Sequence, residues 1–194
     1  MEMSAATVDI LTPGHIVREG RFIKEAHSSS SLVRSRGESI VVDTSSRERR
    51  EAILYSLGEL GVDPADVGIV VSTHCHGDHT ANDDLFENAE FIIHEGEGVR
   101  GDKTVMTGDL MEIAAEVVIV HTPGHSRGSI SVFIESDRRY AIVGDAIPTE
   151  DNFRRMLPPG IHYDAETALQ SIKRIGEFAD IIVPGHDFPF SVKR

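Results

Sequence analysis

The sequence predicts an α/β (α+β) protein in which two mixed sheets pack face to face with helices outside, and three observations carry that prediction. Short apolar runs of strand length alternate with stretches of helical periodicity, in the order strands, helix, strand, and then the same again. The chain has 194 residues and is 40% hydrophobic, enough to bury a substantial core in a single domain over 1–194 without disulfides. Apolar runs ending near residues 72, 121, 144 and 183 each lead into His or Asp, so their ends can converge on one rim.

Residues 8–11, 16–23 and 30–34 read as short strands of an N-terminal meander, and 39–43 as a stronger one, an apolar run ending in Asp43. Residues 47–60 carry apolar side chains at 53, 54, 57 and 60, a helical spacing, and Gly61 fits the stop. A buried strand over 67–72 runs into a histidine cluster, and 80–86 reads as a short helix. Strands follow over 90–94, 117–121, 129–135 and 140–144. Residues 164–178 form a helix with apolar positions at 165, 168, 169, 172, 175 and 178, and 180–183 is a last strand. Pro-Gly-His occurs at 13–15, 123–125 and 184–186, too irregularly spaced for a structural repeat.

Composition bounds the partners. Asp and Glu outnumber Lys and Arg by 32 to 19, a formal charge of −13 that disfavours general attraction to phosphate backbones or anionic membranes. One cysteine rules out an internal disulfide and suits a reducing compartment. No apolar stretch approaches the roughly 20 residues that span a bilayer, and the N-terminus lacks the pattern of a signal peptide. A cytoplasmic protein without a membrane partner is expected.

The chemistry concentrates in His74-Cys75-His76-Gly77-Asp78-His79, the pattern H-x-H-x-D-H. In an extended segment His74 and His76 point to one side and can share one ion. Gly77 permits a sharp turn, after which Asp78 and His79 would face a neighbouring ion. His125, Asp145 and His186, each after an apolar run, can complete the set, with the small carboxylate of Asp145 as the natural bridge. Imidazole and carboxylate suit zinc, iron and other borderline metals alike. Two metals sharing a water make hydroxide available at neutral pH, which points to a hydrolase.

On these residues the chain resembles the metallo-β-lactamase-fold superfamily. The resemblance covers nearly the whole chain. It rests on residues 74–79, on His121-Thr122-Pro123-Gly124-His125-Ser126, on Gly144-Asp145, on Val183-Pro184-Gly185-His186 and on Val41-Val42-Asp43-Thr44. It implies a four-layer αββα sandwich with a dinuclear site at one edge. It implies His74, His76 and His125 on one ion, Asp78, His79 and His186 on the second, and Asp145 between them, with Asp43 supporting the metal loop. The implied cofactors are two divalent ions, zinc first, with iron or manganese as alternatives. Residues 179–190 most resemble the compact metallo-β-lactamase domain-containing proteins, a group linked to RNA cleavage. The superfamily also holds thioesterases, lactonases, phosphodiesterases and sulfur dioxygenases. The commonest zinc β-lactamases carry Arg where His79 stands and Cys where Asp145 stands, the flavodiiron branch carries Glu at His76, and the helical domain of glyoxalase II has no room here. A homodimer is compatible with the family.

Other residues carry weaker signals. Strand alternation turns Cys75 away from His74 and His76, so it is expected as a small buried hydrophobe. His162 and Tyr163, between Pro158-Pro159-Gly160 and the helix beginning at Asp164, are candidates for substrate binding or proton donation, against the plainer reading of a helix flank capped by Asp164. Arg127 is a candidate partner for an anionic substrate group. Residues 153–156 form a mixed basic and apolar loop, a lid or a surface contact, and His15, His27, His94 and His121 are taken as structural. No nucleotide-binding glycine motif is present.

The expected function is therefore a dinuclear-metal hydrolase using a metal-bridging hydroxide, with Asp78 also orienting that hydroxide. The expected substrate is a small ester, thioester or lactone. A phosphodiesterase or ribonuclease with an RNA partner is one alternative, and an iron-dependent oxidoreductase on the same ligands is another.

Overall fold

The computed structural model describes residues 5–20, 22–98 and 101–193. Along the chain run β1 (Thr7–Thr12), β2 (His15–Glu19), β3 (Phe22–His27), β4 (Ser30–Ser35), β5 (Glu38–Val42), α1 (Arg50–Glu59), β6 (Ile69–Val71), α2 (Gly77–Thr80) and β7 (Glu90–His94). There follow β8 (Thr104–Met106), β9 (Leu110–Ala114), β10 (Val117–His121), β11 (Ile130–Glu135), β12 (Arg139–Gly144), α3 (Glu150–Arg154), α4 (Ala165–Phe178), β13 (Ile181–Pro184) and β14 (Phe190–Ser191). One six-stranded sheet has the order β1-β4-β5-β6-β7-β8, and the other β14-β13-β12-β11-β10-β9.

Side-chain alternation builds the layers. In β5, Ile40 and Val42 point into the space between the sheets, where Val71, Ile92, Ile119, Val132, Ile134 and Val183 meet them. Val41 points the other way, with Leu32 and Val70, against Ile53 and Leu57 of α1. On the outer face of the second sheet, Val120, Phe133, Val143 and Ile182 pack against Ile172 and Ile175 of α4. The result is the αββα sandwich, with each helix covering one sheet.

Parallel pairing sets the rim. β5 pairs with β6 and β6 with β7, all parallel, and β12 pairs with β13 in the same sense. Parallel strands deliver their C-terminal ends to the same edge, so the chain leaving β5, β6, β12 and β13 emerges together.

Several expectations need correction. The single strand over 16–23 is a hairpin, β2–β3, that reverses near Gly20 and joins neither large sheet. Polar residues and Gly20 do interrupt the apolar residues at 18–21, and it is there that the chain reverses. The helix expected over 80–86 starts earlier, as α2 inside the histidine cluster, and only a short 3-10 turn, Asp83–Leu85, follows. Residues 150–154 are helical rather than a loop, with Thr149 and Asn152 forming a capping box. The short strands β8, β9 and β14 at the sheet margins bury too few side chains to carry a strong pattern. Among the described residues no helix is long and apolar enough to cross a membrane.

Ile134 is fully buried between the sheets. Ile134→Ala is expected to cost about 2–5 kcal/mol, seen as a lower midpoint of urea unfolding at an unchanged slope. Lys173→Ala, on the exposed face of α4, should stay within about 0.5 kcal/mol of the parent.

Candidate metal centre

The rim is organised first around Asp43, the residue that follows β5. Its backbone is left-handed, φ +56°, a conformation aspartate tolerates better than most residues. The parallel register Val42↔Val71 brings it beside the chain leaving β6. There its carboxylate accepts from the Thr73 backbone N–H at 2.7 Å, from Thr73 Oγ1 at 2.7 Å and from His79 Nδ1 at 2.7 Å. One buried carboxylate thus holds both ends of the histidine loop.

The other loops are locked by close packing. Gly144, at φ +48°, leaves no room for a side chain, because a methyl there would lie 2.7 Å from Thr73 Cβ. The first and last Pro-Gly-His segments meet: a methyl on Gly14 would lie 2.6 Å from the Cα of His186. Ser29 N–H donates to the Gly185 carbonyl at 2.7 Å and its hydroxyl donates to the Pro184 carbonyl. Glu97 ties the two histidine loops together, accepting from Cys75 N–H at 2.9 Å, Ser126 Oγ at 2.5 Å and Gly128 N–H at 3.1 Å.

The imidazoles are oriented from behind. His125 Nδ1 donates to the Ile161 carbonyl at 2.7 Å, His186 Nδ1 to the His27 carbonyl at 3.0 Å, and His79 Nδ1 to Asp43. With Nδ1 committed as donor, a neutral ring presents the Nε2 lone pair inward. The rings of His74, His76 and His125 stand edge to face, with centroids 4.5–4.9 Å apart. His125 Nε2 lies 3.1 Å from His76 Nδ1, so a proton or a cation must separate the two nitrogens. Asp145 reaches both sides: Oδ2 is 3.6 Å from His125 Nε2, and Oδ1 is 3.4 Å from His79 Nε2 and 3.1 Å from His186 Nε2. Asp78 Oδ2 lies 3.5 Å from His186 Nε2.

The donors fit cations. His74 Nε2, His79 Nε2 and Asp145 Oδ1 are buried and make no well-formed hydrogen bond, an arrangement that is costly without a partner. Among the described residues three groups have ligand atoms within 4.8 Å of one another: His74, His76 and His125; Asp78, His79 and His186; and His74, His79 and Asp145, which overlaps the other two. Burial, reinforced by His79, holds His74 well below the usual imidazole range, and burial lowers His125 too. Burial opposes the charge on His79 and His186, but the carboxylates of Asp43 and Asp145 outweigh it and raise both. Burial likewise opposes ionisation of Asp145, and the His186 and His79 charges outweigh it, holding Asp145 well below the carboxylate range.

A cavity of about 110 Å³ opens over these groups. His76, Asp78, His125, Asp145 and His186 line its floor, and its walls come from Ile16, Arg18, Ile23 and Ala26 of the hairpin with Pro148, Pro159, Gly160 and Ile161. His162, Tyr163 and Arg127 do not line it. His162 Nδ1 donates to the Pro159 carbonyl at 2.6 Å, Tyr163 N–H donates to the Gly124 carbonyl at 2.9 Å, and the Arg127 guanidinium stacks 5.1 Å from the Tyr163 ring centre. Asp164 caps α4 through Thr167 N–H, which is the helix-flank reading of this segment. Cys75 is exposed rather than buried. Partial burial and the Glu97 carboxylate push its thiol up to about 11, far from a thiolate ligand. His94 and His121 stack at 3.9 Å, a pairing invisible in the sequence because 27 positions separate them. The wall residues and Glu97 were also missed. The one clue was an arginine set among apolar residues in the 16–23 segment.

The family model described as the metallo-beta-lactamase superfamily matches residues 23–108 and 101–186. The chain belongs to the metallo-beta-lactamase superfamily. A metallo-hydrolase of Methanocaldococcus jannaschii is 36% identical over 93% of this chain and 86% of its own length. Metallo-beta-lactamase domain-containing protein 1 of Xenopus laevis is 31% identical over 97% of this chain and 83% of its own. An N-acyl homoserine lactonase of a Bacillus species is 27% identical over 91% and 85%. The solved structure of a Thermotoga maritima metallo-beta-lactamase superposes with a TM-score of 0.80 at 23% identity, covering 96% of this chain and 99% of that one, which shows the shared fold.

Asp43→Asn keeps the size but removes the charge that orients His79. Metal affinity is expected to fall by about 10–100-fold, measured as metal retained after dialysis against graded chelator. Unchanged retention would remove Asp43 from this role.

Proposed function

We propose that this chain is a metal-dependent hydrolase that cleaves a small ester, thioester or lactone from a dinuclear His and Asp centre. The observation that carries the reading is Asp145, whose two carboxylate oxygens reach opposite histidine sets at the floor of a small, largely apolar cavity. His74, His76 and His125 would hold one divalent ion, Asp78, His79 and His186 the other, and Asp145 both, with zinc suited to the donors. Bound there, two such ions supply a hydroxide at neutral pH and polarise the oxygen on which charge develops.

The residues of the chain do the rest. The hairpin and the 158–161 segment exclude bulk water and hold the acyl group over the floor. The oxygen of the attacking water bonds to the acyl carbon, and the carbon–oxygen or carbon–sulfur bond to the leaving group breaks. Asp78, on the cavity floor, accepts one proton of that water and returns it to the departing alkoxide or thiolate. The products are a carboxylic acid and an alcohol or thiol. The M. jannaschii relative bears a hydrolase name and the Bacillus relative a lactonase name, and both support this reaction class. A net charge of −13 and a cavity of about 110 Å³ suit a small molecule better than a polyanionic strand.

The test sets zinc- and manganese-loaded protein, with a chelated control, against an acyl-homoserine lactone, an aryl ester, a thioester and bis(p-nitrophenyl) phosphate. Metal-dependent cleavage of the acyl compounds is expected, and Asp145→Ala should lower kcat/KM by about 100-fold or more. Cleavage of the phosphodiester alone, or full turnover by Asp145→Ala at full metal loading, would overturn the reading.

A further inference from the structure

The hairpin contributes more than a wall. β2 and β3 pair Ile16 with Ala26 and Arg18 with Ile23, and the register slips between Val17 and Arg18, leaving Lys24 as an extra residue on β3. A bulge of this kind re-aims the side chains beside it. Without it, Ile23 and Ala26, three positions apart, would face opposite sides of the ribbon. With it, both line the cavity, together with Ile16 and Arg18. The bulge therefore brings a cation and three apolar side chains onto one surface.

Arg18 is poised rather than paired. Among the described residues Arg34, Arg36, Arg47, Arg50, Arg139, Arg154, Arg155 and Arg174 each sit on a carboxylate, whereas Arg18, Arg49, Arg127 and Arg138 do not. Arg18 has no carboxylate partner among the described residues, although 32 Asp and Glu are present in the chain. The two carboxylates of its own hairpin are taken, Glu19 by Lys24 and Glu25 by His27, each at 2.8 Å. The guanidinium instead lies across the cavity against Gly160, where a methyl would stand 3.3 Å from Nη1 and 3.6 Å from Nη2. The fork faces a cavity whose remaining walls, Ile16, Ile23, Ala26, Pro148, Pro159 and Ile161, offer no side-chain anion.

We propose that Arg18 is a specificity residue that takes a carboxylate carried by the substrate at the end away from the scissile bond. The substrate class is then a short acyl compound with a free carboxylate, its apolar middle against Ile16, Ile23 and Ile161. A planar guanidinium matches a carboxylate with two parallel hydrogen bonds, and Arg18 offers them from the exposed rim of the cavity. Asp78 and Asp145 repel such a substrate from the floor; divalent ions bound by the floor residues would offset them, leaving Arg18 to bind the far end. This inference rests on the acyl-hydrolase reading above and narrows it.

The test compares mono-p-nitrophenyl esters of succinate, glutarate and adipate with the p-nitrophenyl ester of butyrate, all on the zinc-loaded protein. The parent should favour the best of the acidic esters over butyrate by about 10–100-fold in kcat/KM. R18Q should collapse that ratio towards one, R18K should keep part of it, and K24Q, which removes a charge paired on the same hairpin, should leave the ratio in place. A ratio near one in the parent, or one that R18Q does not alter, overturns the role of Arg18 while acyl hydrolysis stands. If none of these esters is cleaved, the lactone and thioester assays decide the acyl-hydrolase reading and binding decides Arg18. Glutarate held about tenfold or more tighter than butyrate by the parent, and not by R18Q, supports the anchor. Equal binding rejects it.

Discussion

The buried carboxylate of Asp43 is the interaction on which the rim depends. Two of its contacts bind Thr73 and one binds His79, so the loop from 73 to 79 is closed on itself before any ligand is considered. The clamp exists only because β5 and β6 run parallel in the register that sets Val42 beside Val71. A shift of one residue would turn Asp43 and every side chain of that strand to the other face. The apolar layers of the sandwich therefore do two things at once. They stabilise the fold and they specify where a polar cluster is tolerated.

That cluster is electrostatically unfinished. Five imidazoles, with Asp78 and Asp145, crowd one small space, and His74, His79 and His186 are almost wholly shielded from water. Burial favours neutral imidazoles, whereas the carboxylates favour charged ones, and the rings divide accordingly: His74 and His125 are depressed, His79 and His186 raised. Such opposed demands, with ring nitrogens facing one another and lacking hydrogen bonds, are relieved by a cation far better than by any rearrangement of the side chains. The outer hydrogen bonds, to the carbonyls of Ile161 and His27, hold the rings in place. They come from segments that also border the cavity, so the support of the centre and the shape of the substrate space are coupled.

Much of this was legible in the chain. Helical spacing marked α1 and α4, and apolar runs marked the central strands, because a buried strand or amphipathic helix writes its periodicity directly into the sequence. The cluster at 74–79 announced its chemistry because its donors are local. The marginal strands β8, β9 and β14 were not legible, since edge positions bury little and select weakly. The hairpin at 16–27 carries its turn in the polar residues and glycine at 18–20, a signal too short and too weak beside the flanking apolar pairs to separate two strands from one. Cys75 was expected inside, but the rule of alternation fails where a strand has already ended and a helical turn is about to begin. His162, Tyr163 and Arg127 were drawn to attention by residue type, yet they are engaged with one another and with backbone carbonyls, while Arg18 and Glu97 drew none.

The sequence by itself determined the layered α/β architecture, the superfamily and the set of metal-competent residues, because these depend on local periodicity and on motifs a few residues long. Only the tertiary structure decided which face of the hairpin meets the cavity, that Gly14 packs on His186, that Glu97 joins two loops, and that Arg18 stands alone among apolar walls. Those outcomes depend on register, on a bulge and on contacts between segments far apart in the chain. Distance in sequence carries no information about them until the sheets are packed.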